Sequence, residues 1–175
     1  MRHTISVLVQ NEFGVLARVA GLFSGRGFNI EALSVGETLD PKFSRMTIVT
    51  TGDDAIIEQI TKQLGKLINV VTIEDLTGQD FLERELLLIK VNAETSGRAE
   101  ILRIVDIFRA KVVDASHEAF TIEITGDKNK MQAFINLLEP LGILEVVRTG
   151  QVAIKRAMAT EKPKSVKVKK LAKGG

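Results

Sequence analysis

The sequence predicts an α+β fold built from two tandem ferredoxin-like βαββαβ units, followed by a disordered basic tail. Three observations carry this. Strand-length apolar runs and amphipathic helical stretches follow one another in the order β-α-β-β-α-β over residues 3–76. The same order recurs after a short polar boundary, Thr77-Gly78-Gln79-Asp80. A hydrophobic content of 45% in 175 residues supplies enough apolar side chains for two small cores. The domains so defined are 1–78, 79–158 and a Lys-rich tail, 159–175.

The first strand covers residues 3–9, where Ile5-Ser6-Val7-Leu8-Val9 is rich in β-branched residues. Val15, Leu16, Val19, Leu22 and Phe23 then recur at helical spacing, so a helix runs over 15–25 and stops at Ser24-Gly25-Arg26-Gly27. Residues 29–38 are extended, with an apolar phase that slips between Ala32 and Leu33 and so predicts a bulge there. Leu39-Asp40-Pro41-Lys42-Phe43 turns the chain, and Ser44 to Thr51 alternates Met46, Ile48 and Thr50 against Arg45, Thr47 and Val49. Gly52-Asp53-Asp54 caps a second helix with the inner stripe Ile57, Ile60, Leu64 and Leu67, because acids favour a helix's first turn. Ile68 to Leu76 closes the unit as its fourth strand.

In the second unit, Glu85 to Val91 is a strand. Ser96-Gly97 opens a helix whose stripe is read as Ile101, Leu102, Val105, Ile107 and Phe108. Lys111–Ala115 and Phe120–Thr125 are strands flanking Ser116-His117-Glu118. Gly126-Asp127 caps the last helix, which carries Met131, Phe134, Ile135 and Leu138 and ends at Pro140 and Gly142. Ile143 to Ile154 supplies closing strand material. Each unit is thus expected to be one helix layer on one sheet.

Composition narrows the function. There is no cysteine, which excludes disulfides, thiolate metal sites and thiol catalysis and fits a cytoplasmic location. No apolar run approaches bilayer length, and Met1-Arg2-His3-Thr4-Ile5 enters a strand without a signal-peptide layout, so no membrane association is expected. From Glu161 onward there are six lysines and one acid, leaving 18 basic and 21 acidic side chains before it. The basic balance therefore belongs to the tail, which reads as a solvated end, and no specific nucleic-acid role is expected.

Several chemistries fail on residue pattern. His3 and His117 are the only histidines and lie in different units, which excludes a clustered His/Cys metal site. Gly25-Arg26-Gly27-Phe28-Asn29-Ile30 lacks the third glycine of a dinucleotide loop and follows a helix. Gly65-Lys66 lacks the upstream glycine of a P-loop. RNA-recognition modules share the fold, but they stack bases on sheet aromatics, and the third strand offers none. No catalytic constellation is present.

The informative stretch is Gln10-Asn11-Glu12-Phe13-Gly14-Val15-Leu16, the turn from the first strand into the first helix. Helical N–H groups left free there, with the positive end of the helix dipole, suit a small anion such as a carboxylate. Asn11 adds an amide that both donates and accepts. The same residues also suit an ordinary strand-to-helix turn, with Asn as a cap and Gly for its backbone angles.

Asn11-Glu12-Phe13-Gly14-Val15-Leu16, with "RVAGLFSGRGFNIEALSVGET" and "SRMTIVT", resembles an ACT domain, a small-molecule sensing module. "ERELLLIKV", "ILRIVDIFRAKVVDAS" and "IEITGDKNKMQAFINLLEPLGILEVVRTGQVAIKR" extend the resemblance over residues 2–156 to the regulatory (small) subunits of acetohydroxyacid synthase, also called acetolactate synthase. The resemblance implies a non-catalytic partner that activates a thiamine-diphosphate-dependent catalytic subunit and confers feedback inhibition by valine or another branched-chain amino acid. It assigns thiamine diphosphate, Mg²⁺ and FAD to that catalytic subunit and no cofactor to this chain. It further implies a homodimer through paired ACT domains, with the effector at their interface. Asn11, Gly14, Val15 and Leu16 would come from one chain, and Asn29 and Ile30 from the other. Glu37 to Phe43 is the expected docking region for the catalytic subunit. The alternative is a stand-alone ACT-type amino-acid sensor acting on transcription or another enzyme.

Overall fold

The structure, a computed structural model, describes residues 1–94, 97–157 and 165–167. The first unit runs β1 (Arg2–Gln10), α1 (Val15–Ser24), β2 (Ile30–Glu37), β3 (Phe43–Thr51), α2 (Asp54–Leu64) and β4 (Val70–Asp75). The second runs β5 (Phe81–Asn92), α3 (Arg98–Phe108), β6 (Lys111–Ala115), β7 (Ala119–Gly126), α4 (Lys128–Leu138) and β8 (Ile143–Arg148). Two short strands follow, β9 (Val152–Lys155) and β10 (Ser165–Lys167). Contacts divide the chain into Met1–Leu82 with the described residues from Ala153 on, and Glu83–Val152.

Both sheets share one topology. Strands lie in the order β2-β3-β1-β4 in the first and β6-β7-β5-β8 in the second, antiparallel throughout. The first strand of each unit is therefore central, which is why β1 and β5 carry the fully buried side chains Ile5, Val7, Leu87, Ile89 and Val91. β10 adds a fifth strand beside β4, so three residues of the Lys-rich tail pair with the first sheet; the rest of the tail lies outside the described residues.

Each unit has its own core. Ile5, Val7, Val19, Phe23, Ile48, Ile60 and Leu64 pack between α1, α2 and the first sheet. Phe134 is fully buried in the second core and meets Phe108 edge-on, with ring centroids 5.2 Å apart. Asp53 and Asp127 cap α2 and α4, their side chains accepting from the N–H groups of Ile56 at 2.8 Å and Lys130 at 2.9 Å.

Three local expectations change. The β2 bulge lies between Ile30 and Ala32, earlier than the Ala32–Leu33 slip, because Ile30 still pairs with Thr50 and packs against the core. In α3 the buried stripe is Ile101, Ile104 and Val105, whereas Leu102 and Ile107 are exposed. A rotation of about 100° per residue places 101, 104 and 105 on one face and turns 102 and 107 away from it. Ser96, read as part of this helix's opening, lies outside the described residues.

The third change concerns β3. The sequence predicts one helix layer on one sheet, yet the face of β3 away from the helices is covered as well: Thr47 and Val49 are buried along with Met46 and Ile48. The Ala153 N–H donates to Thr47 Oγ1 at 3.3 Å, so Ala153 meets this second face at Thr47. No described helix is long and apolar enough to cross a membrane.

Candidate functional site

The turn after β1 is built on Gly14. Its φ of 80° is left-handed, a region where an L side chain is strained and glycine is not. A Cβ there would meet nothing within 4 Å, so within this chain the requirement is conformational and the space beside Gly14 is open. The turn places Gly14 as the N-cap of α1, with no side-chain cap. Val15 N–H reaches back to the Glu12 carbonyl at 3.4 Å, and Arg18 N–H donates to the Gly14 carbonyl at 3.0 Å. Among the described residues, none accepts from the backbone N–H groups of Leu16 and Ala17. The end of α1 is thus an uncapped donor pair carrying the positive end of the helix dipole. Val15 is buried in the core, and Leu16 is half exposed.

Asn11 is spent on the chain itself. Its side-chain nitrogen donates to Glu37 Oε1 and to the Pro41 carbonyl, both at 3.0 Å, and its backbone N–H donates to the Lys42 carbonyl at 2.7 Å. The side-chain oxygen of Asn11 accepts from no group among the described residues. These bonds tie the turn after β1 to the loop between β2 and β3.

Asn29 and Ile30 lie at the other end of the same sheet. Ile30 pairs with Thr50, which pairs with His3, whereas Asn11 follows Gln10, which pairs with Phe43. Seven residue steps along β3, from Phe43 to Thr50, separate the two ends, about 24 Å at 3.4 Å per residue. Asn29 is exposed, and its backbone carbonyl accepts from Thr50 Oγ1 at 2.6 Å. One chain therefore brings Asn11, Gly14, Val15 and Leu16 together and keeps Asn29 and Ile30 apart from them.

Sequence reasoning missed the polar network beneath the turn. Asn69, just before β4 and only 5% exposed, donates from Nδ2 to Gln10 Oε1 at 3.0 Å and to Glu12 Oε2 at 2.8 Å. Its Oδ1 accepts from the Arg18 guanidinium at 2.7 Å, and its backbone carbonyl accepts from the Gln10 N–H at 2.8 Å. The orientation of the amide follows from its partners, since a carboxylate only accepts and a guanidinium only donates. Asn69 lies 59 positions from Gln10, so no local pattern advertises the contact. Arg18 offered a faint signal, a charge one turn into an otherwise apolar helix.

No group of three His, Asp or Glu side chains that could hold a metal occurs among the described residues. The buried His3 has neither ring nitrogen in a hydrogen bond, and its Nδ1 lies 3.8 Å from Asp75 Oδ2.

Comparison with known proteins places the chain. Residues 84–157 match the family described as the small subunit of acetolactate synthase, and residues 5–72 match the small-subunit-like ACT domain of the same enzyme. The acetolactate synthase small subunit of Aquifex aeolicus is 55% identical over 90% of this chain and 83% of its own length. That of Mycobacterium bovis is 51% identical over 88% of this chain and 92% of its own. The crystal structure of the small subunit from Thermotoga maritima superposes with a TM-score of 0.81 at 46% identity, covering 89% of this chain and 98% of that one. At these identities and coverages, with both units matched in order, the chain belongs to the acetolactate synthase small-subunit family.

Proposed function

We propose that this chain is the non-catalytic regulatory subunit of acetolactate synthase: it activates the catalytic subunit and subjects it to feedback inhibition by valine or another branched-chain amino acid. Thiamine diphosphate, Mg²⁺ and FAD belong, in this reading, to the catalytic partner. The effector binds between two copies of the first unit.

The observation that supports the shared site is the position of β2. It is the edge of its sheet, with no strand on its outer side among the described residues, and it bears the half-exposed Val35. Two identical edges related by a twofold axis pair antiparallel, and such an interface is isologous. Antiparallel partners share a face of the sheet, so the twofold sets one β2 residue opposite its own copy; centred near Ser34, it carries the Ile30 end of one strand to the Glu37 end of the other. Glu37 is the residue that Asn11 holds. The twofold therefore carries Asn29 and Ile30 to the open turn at Asn11 and Gly14, and it does so twice per dimer. The free N–H groups of Leu16 and Ala17 take the effector's carboxylate, the Asn11 amide oxygen takes its ammonium, and apolar neighbours take the branched side chain. A hydrogen bond to a charged group contributes about 1.5–3 kcal/mol, so a few of them give binding that a metabolite can reverse.

Calorimetry of the purified chain with valine, leucine, isoleucine, serine, threonine and phenylalanine tests this. Saturable binding of a branched-chain member is expected, with loss in Gly14→Asp, which adds strain and a negative charge beside the carboxylate. Adding the catalytic subunit should then raise carboligation, and the same amino acid should lower it. Absence of both binding and activation would overturn the reading.

A further inference from the structure

Asn69 is no part of the open turn itself, yet its side-chain amide and its backbone carbonyl are committed to residues in and around that turn. Gln10 ends β1, Glu12 lies inside the turn, and Arg18 stands one helical turn into α1. Gly14 lies between these anchors, at a backbone angle that glycine adopts freely and is therefore not held by its own sterics. Neither a side-chain cap nor a packed Cβ fixes the first turn of α1. The turn between Glu12 and Arg18 is clamped from below instead, through one buried amide that holds a carboxylate on one side and a guanidinium on the other.

Burial gives that clamp its leverage. At 5% exposure Asn69 is shielded from water, so a partner lost there is not replaced by solvent. The Gln10 N–H donates to the Asn69 carbonyl and keeps the amide at this level of the sheet. Beyond Gly14 the N–H groups of Leu16 and Ala17 have no acceptor among the described residues, and a binding site built on a turn works best when its donors are held in place before the ligand arrives.

We propose that Asn69 is a positioning residue of the effector site: by joining Glu12 to Arg18 it presets the α1 donors for the ligand carboxylate. The inference rests on the effector-binding reading above and adds the element that holds the site in shape.

Two substitutions probe it with different physics. Asn69→Ala removes the links without changing charge. Asn69→Asp keeps the acceptor for Arg18 but sets a carboxylate against Glu12; Gln10 can turn its amide to donate, whereas Glu12 cannot. Adding Glu12→Gln to Asn69→Asp restores both a donor and the original net charge. Calorimetry with the branched-chain amino acid that the unsubstituted chain binds is the readout, alongside the thermal unfolding midpoint and activation of the catalytic subunit. Affinity is expected to fall about tenfold or more in Asn69→Ala and in Asn69→Asp, the loss of roughly one to two hydrogen bonds of preorganisation. The Asn69→Asp/Glu12→Gln pair should recover most of it, while activation persists in all three. Unchanged affinity in Asn69→Ala would overturn the proposal. So would a loss, or a failure to fold, that the double variant does not recover, because the role would then be general packing. Failure of the unsubstituted chain to bind any amino acid would instead strike the effector reading itself.

Discussion

Asn11 and Glu37, 26 residues apart, are joined by a 3.0 Å hydrogen bond in which the Asn11 amide nitrogen donates to the Glu37 carboxylate. The contact fastens the mouth of the α1 turn to the end of the β2 edge. Within one chain the α1 turn and the Glu37 end of β2 are therefore tied together. Glu37→Ala should weaken effector binding by about threefold to tenfold, the worth of an exposed charge-assisted bond, and Asn11→Ala by more, because it also removes the proposed acceptor for the ammonium. In a calorimetric double-mutant cycle, the double variant should bind no worse than Asn11→Ala alone, since that substitution already removes the link to Glu37. Additive losses would show that the two side chains act separately.

Gly14 holds a left-handed angle with open space around it. Gly14→Ala should therefore cost about 1–2 kcal/mol of stability from strain alone. Chemical denaturation would measure it, and Gly14→Asn should cost less because Asn tolerates that region. Equal stability in all three would mean that the turn relaxes to another conformation.

Val35 lies on the β2 edge, 45% exposed despite its apolar side chain. Val35→Lys places a charge along the proposed seam, the device natural edge strands use against pairing. Sedimentation at micromolar concentration should show the dimer of the unsubstituted chain shifting to monomer. An unchanged dimer would move the interface away from this edge.

Phe134 and Phe13 are opposite cases of one residue type. Phe134 is buried beneath Phe108, so Phe134→Ala should destabilise the second unit by about 3–5 kcal/mol. Phe13 projects fully into solvent at the turn, so Phe13→Ala should change stability by less than about 0.5 kcal/mol. Thermal unfolding followed by circular dichroism separates the two.

Lys62 Nζ lies 2.6 Å from Glu58 Oε1, one turn apart on the exposed face of α2. The hydrogen bond from Lys62, and then its positive charge, hold the Glu58 carboxyl below the usual range. A depressed folded-state value means that the pair's stabilisation is present above the unfolded pKa and is lost as pH falls through the folded one. Lys62→Met should return Glu58 to the ordinary range in an NMR titration, and unfolding midpoints of the two proteins should converge under acid conditions.

Local chemistry carried much of the architecture. Period-two and helical apolar spacing, the Asp53 and Asp127 caps and the glycines at the turns determine the order of elements in both units, because each depends on neighbours within a few positions. The turn at Gly14 was legible in part: strand, glycine and helix in sequence expose the first helical N–H groups, but only the structure shows that no side chain caps them. Tertiary structure decided the rest. The Asn11 amide nitrogen is committed to Glu37 and Pro41, Asn69 holds Gln10, Glu12 and Arg18 together, and Ala153 meets Thr47 on the second face of β3. These partners lie 26 to 106 positions apart, and strand register, not local propensity, determines which of many polar side chains meet.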